Sequence, residues 1–166
     1  MAYIVGIPLL VGLAILQSSM LGTFHFIDGR PDLILLAVIG WALAGGRTEA
    51  MVWGLIGGCL LDMFSEVPFG SSAIILILIA YLVSLYEGRV WEEHLLMPLG
   101  ITLLASAAYH LWGLGILFVM GRPIDLPFAV SRVIMPSVFL NLILALPASQ
   151  LLKGLRNRFY PPEVEI

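Results

Sequence analysis

The chain has 166 residues, 60% of them apolar and only 11% charged, with a net charge of -3. A soluble domain carries about 25% charged residues, so this composition excludes water as the main solvent, and a mean hydropathy of +1.03 points to lipid. A pI near 5.5 without any basic run excludes nucleic-acid binding, and the lone Cys59 excludes an internal disulfide and a cysteine-based zinc site.

A helix needs about 20 apolar residues to cross about 30 Å of hydrocarbon. Residues 2–27 hold no Asp, Glu, Lys or Arg, which predicts a first span at about 3–22. The first charged residue is Asp28 and the first positive one Arg30. No basic region therefore precedes this segment, and it is expected to stay in the mature protein.

The next stretch is harder to read. Pro31 and Asp32 open an apolar run that lasts to Gly46, and a second run follows Arg47 and Glu49 up to Asp62. Two readings are open. One is a pair of short crossings at about 31–46 and 48–65, joined by the Gly45-Gly46-Arg47-Thr48 turn with Thr48 as cap. The other is a re-entrant hairpin. Pro31 suits a first helical turn, where its missing N–H costs nothing. Further spans are predicted at about 71–86, opened by Ser71 and Ser72 as caps, at about 95–120, and at about 128–152.

Six spans would put Arg47, Arg89, Lys153, Arg156 and Arg158 on one side and Arg30, Arg122 and Arg132 on the other, so both termini are expected in the cytoplasm. Trp91, Phe159 and Tyr160 fall where interfacial aromatics belong. The expected organisation is a single all-α transmembrane domain, a six-helix bundle over residues 1–154, followed by a short cytoplasmic tail at 155–166. Lys153, Arg156 and Arg158 should anchor the topology and touch anionic lipid.

Within the spans, Gly54, Gly58 and Asp62 are spaced four apart and share one helix face. Small residues at that spacing let backbones approach, either inside the bundle or against a partner. Asp62 is costly in hydrocarbon. Either it pairs with Arg132, expected at the same depth, or each reaches the interface alone. His110 stands mid-span beside Tyr109 and Trp112. It is read as a hydrogen-bonded packing residue, with a proton-relay or ligand role as the alternative. His25 and His94 fall on opposite sides, so the three histidines form no metal cluster. Pro136 and Pro147 should kink the last span, freeing the carbonyls of Arg132 and Ile143. Asn141, between them, should satisfy a carbonyl or bond across helices, on the side opposite Arg132.

No nucleophile elbow, phosphate loop, HExxH or paired intramembrane carboxylate is present, so no catalytic, cofactor-binding or metal residue is assigned. A row of charges or a selectivity filter is equally absent, which argues against a pump or channel.

Residues 30–83 resemble the MreD family of bacterial rod-shape-determining proteins. The matching residues are Pro31, Asp32 and Leu33, the Gly45–Arg47 turn, then Gly54, Gly57, Gly58, Leu61, Asp62, Ser65, Pro68 and Gly70. Arg132, Pro136, Asn141 and the basic tail of Lys153, Arg156 and Arg158 extend the likeness to the last span. The resemblance implies a non-enzymatic inner-membrane subunit of the cell-elongation (rod) complex, needing no cofactor and acting in peptidoglycan synthesis and cell-shape maintenance. It implies binding to MreC through that protein's transmembrane helix. It also implies work beside a SEDS-type glycosyltransferase and a class B penicillin-binding transpeptidase, with the actin-like MreB on the cytoplasmic side. The implied fold is similar to the substrate-binding subunits of energy-coupling-factor transporters. That likeness supplies the alternative function, a vitamin-type transporter subunit, which needs an outward pocket lined by polar groups and aromatics.

Overall fold

A computed structural model describes residues 2–19, 29–86 and 96–160, and every regular element among them is helical. The helices are α1 (Ala2–Ser19), α2 (Leu33–Leu43), α3 (Arg47–Met63), α4 (Ser71–Ser84), α5 (Leu96–Val119) and α6 (Leu126–Phe159). The last two are long and apolar enough to cross a membrane alone. His25, Asp28, Arg89, Trp91 and His94 lie outside the described residues.

α2 is the centre of the bundle. It is apolar on every side, all its residues but Leu33 are buried, and it touches the five other helices. Around it the polarity is inverted relative to a soluble protein. The buried stripe of α5 is Pro98, Thr102, Ala105 and Ser106, and that of α6 is Ser137, Asn141, Ala145, Ser149 and Leu152. The same helices expose Leu104, Leu111, Phe118, Phe139 and Leu151. Small and polar residues face inward because helix packing in lipid depends on close contact and hydrogen bonds. Large apolar side chains face outward at no cost only where the surroundings are hydrocarbon.

α3 and α4 make the closest pair. A Cβ added at Gly58 would lie 2.3 Å from Ala73 Cα, and one at Gly54 3.0 Å from the Leu76 carbonyl. Gly57, on the neighbouring face, meets Ile34 of α2 at 2.5 Å. The glycine stripe is thus spent inside the bundle, and the partner-groove reading of it falls.

The turn between α2 and α3 is closed by its glycines. Gly45 has φ +100°, and Gly46 N–H donates to Trp41 O at 3.2 Å while Gly45 N–H donates to Ala42 O at 3.2 Å. This is the Schellman arrangement, which needs a left-handed residue. α3 then starts at Arg47 with Gly46 as its cap, not Thr48. Arg156 donates to the carbonyls of Ala44 and Gly45. Glu49 accepts from Trp41 Nε1 at 3.0 Å and from the Tyr160 hydroxyl at 2.8 Å. Arg156 was expected at lipid in a tail, but α6 stays helical to Phe159 and spends this side chain on the carbonyls of the turn that ends α2. Those carbonyls lack intrahelical partners and carry the negative end of the helix dipole.

Gly58→Ala should therefore cost about 1–3 kcal/mol by overpacking, whereas Gly100→Ala, where an added Cβ meets nothing within 4 Å, should leave stability unchanged or raise it. Melting of both variants in detergent tests this difference.

Candidate functional site

The chain enters the bundle before α2 without regular structure. A Cβ at Gly29 would lie 2.5 Å from Pro136 Cβ and 2.7 Å from Ser137 N, so glycine alone allows this approach to α6. The backbone donors that follow are taken by α6 side chains. Arg30 N–H donates to Ser137 Oγ at 2.9 Å, Pro31 has no N–H, and Asp32 N–H donates to Asn141 Oδ1 at 2.7 Å. Asn141 returns the contact: its Nδ2 donates to Asp32 Oδ2 at 2.8 Å and to Ser106 Oγ at 3.1 Å. Asn141 is fully buried and Asp32 is 7% exposed.

His110 Nε2 completes the cluster, 3.1 Å from Asp32 Oδ2 but not aligned for a hydrogen bond. The Tyr109 ring stands edge-on to it, centroids 5.6 Å apart. The second oxygen of Asp32, Oδ1, accepts no hydrogen bond among the described residues.

Asp62 and Arg132 are not a pair. The carboxylate of Asp62 accepts from Gly70 N–H at 2.7 Å and from Ser72 N–H at 3.2 Å, capping α4 from the end of α3. It replaces the expected Ser71 and Ser72 caps, because an acid at a helix N-terminus meets free N–H groups and the positive dipole end. Pro68 and Gly70 shape that turn: Pro68 O accepts from Ser71 N–H at 3.1 Å, and Gly70 has φ +94°. Arg132 lies exposed in a π-helical segment, Ala129–Ile134, just ahead of Pro136. Proline lacks the N–H that an α-turn would require there, and the wider π register absorbs the break.

A cavity of about 1240 Å³ opens at the end of the bundle where α2, α4 and α6 begin. Gln17, Arg30, Asp32, Tyr109, His110 and Trp112 line it together with apolar residues such as Phe64, Phe128 and Leu144. Trp112 is held by donation from Nε1 to Ser71 O at 2.9 Å. Asp32 and His110 supply a polar floor under aromatic and aliphatic walls. The spans are therefore richer in converging polar groups than hydropathy suggested. Sequence reasoning took Asp32 as a helix start and left His110 alone. The available signal was that Asp32, Asn141 and His110 each need a partner in hydrocarbon.

A family model described as rod shape-determining protein MreD matches residues 1–156. No curated protein and no solved structure matches.

Asn141→Leu should lower stability by about 1–3 kcal/mol, the cost of leaving a buried donor and acceptor unmet. Asn141→Asp should be worse, since it sets a second acid against Asp32. Denaturation of the purified variants in detergent measures both.

Proposed function

The chain belongs to the MreD family of rod shape-determining proteins, and from that membership we propose that it is a non-enzymatic scaffold of the cell-elongation complex. As a family member it is a bacterial inner-membrane protein with a role in rod shape. In the proposed role it binds MreC. Through MreC it supports the SEDS glycosyltransferase and class B transpeptidase that build the lateral wall, with MreB on the cytoplasmic side.

The observation that carries the reading is the family match over nearly the whole chain, joined to a bundle that offers helix surfaces and a cavity. Because Gly54 and Gly58 are used internally, docking falls to the cavity end and the helices beside it. A transmembrane helix of MreC lying there would be fixed in height and angle by the bundle.

In this proposal all six helices cross, with both termini cytoplasmic and a fold like that of energy-coupling-factor substrate-binding subunits. The eleven residues of α2 rise only about 16 Å. The four non-helical residues before it reach at most about 13 Å, so together they span up to about 30 Å of hydrocarbon. The cavity, with its polar floor and aromatics, also suits the second reading, a small-molecule transporter subunit.

Affinity purification from membranes in mild detergent separates the two. MreC should co-elute with the full chain. An ATPase module with its coupling subunit, in place of MreC, would reverse the assignment.

A further inference from the structure

We propose that the floor of the cavity is a receptor for a basic side chain, a lysine or arginine carried by the membrane-embedded segment of the partner polypeptide. This inference rests on the scaffold reading and names the chemistry of its contact. Asp32 lies on the cavity wall, with its side chain 10% exposed. Its Oδ2 is held by Asn141 at 2.8 Å and approached by His110 at 3.1 Å. The position of the carboxylate is therefore fixed from behind, while Oδ1 accepts no hydrogen bond among the described residues. Tyr109, His110 and Trp112 supply the walls.

A carboxylate with only a tenth of its side chain exposed holds its charge in a low dielectric at a cost, and a cation with N–H donors is the group that offsets it. Arg30, also on the cavity lining, is exposed where Asp32 is buried. The site thus presents positive charge at its rim and negative charge at its floor. A phospholipid inserts with its tails deepest, so uncharged acyl chains would meet Asp32 and leave its charge unpaired. The long stem of a lysine or arginine instead passes apolar walls and puts the cation at the end. The order of charges therefore favours a peptide side chain over a lipid headgroup.

The test uses the full chain co-expressed with MreC. Asp32→Asn keeps an acceptor for Asn141 and removes the charge. Its melting temperature should stay near that of the parent, while recovery of the complex falls about tenfold or more. Each Lys and Arg in and beside the MreC transmembrane segment is then changed to Gln. One of them should cause a matching loss that adds nothing on top of Asp32→Asn. Undiminished recovery with Asp32→Asn overturns the proposal, as does a loss that couples to no basic position. A bound phospholipid released from the purified chain by Asp32→Asn would overturn it in favour of a lipid site. Failure of the parent chain to recover MreC would instead sink the scaffold reading itself.

Discussion

A backbone surrounded by hydrocarbon must have every N–H and C=O satisfied from within the protein, and the four residues ahead of α2 test that requirement most severely. They have no regular structure, so no helix serves them. Proline removes one donor, Ser137 takes another, and Asn141 takes a third while holding the Asp32 side chain in return. Gly29 permits the approach because any side chain would collide with Pro136 and Ser137. If α6 lost Asn141, the N-terminal end of the central helix would lose its tether. α2 organises the bundle by touching every other helix, so this seam positions much of the rest.

The same economy recurs at both ends. At one end Asp62 supplies acceptors to the first N–H groups of α4, joining α3 to α4 where Gly58 already brings their backbones together. At the other, Arg156 supplies donors to the carbonyls of the turn that follows α2, and Glu49 ties Trp41 to Tyr160. In each case a charged side chain of one helix completes the terminus of another. Helix ends are where backbone groups go unpaired, and in lipid no water stands in for the missing partner. Charged residues that hydropathy marks as span boundaries thus act as long-range fasteners.

The cavity follows from these constraints. The non-helical entry runs beside a space lined by α5 and α6, and the groups that fasten the entry line that space. Asp32 serves both ends at once: one oxygen belongs to the seam, and the other is left to the cavity. A site built this way is preorganised, because its orientation is set by contacts the fold needs anyway. It accords with a family whose role is rod shape determination.

Composition and hydropathy alone determined that the chain is helical and lipid-embedded, and roughly where each helix lies, because the cost of burying charge acts locally along the sequence. The order and spacing of Pro31, Asp32, Gly58, Asp62, Pro68 and Gly70 were enough to place its family. Those residues did not reveal their partners. Asp62 resembled a charge waiting for Arg132, yet it serves the backbone of the next helix. Asp32 does start a helix, as the residue that caps α2, and it also binds Asn141, 109 positions away. Arg156 resembled a lipid anchor, yet it closes a turn. Such pairings depend on which helices become neighbours and on small rotations such as the π segment before Pro136. Those are set by the joint packing of all the helices, which no single stretch of sequence encodes.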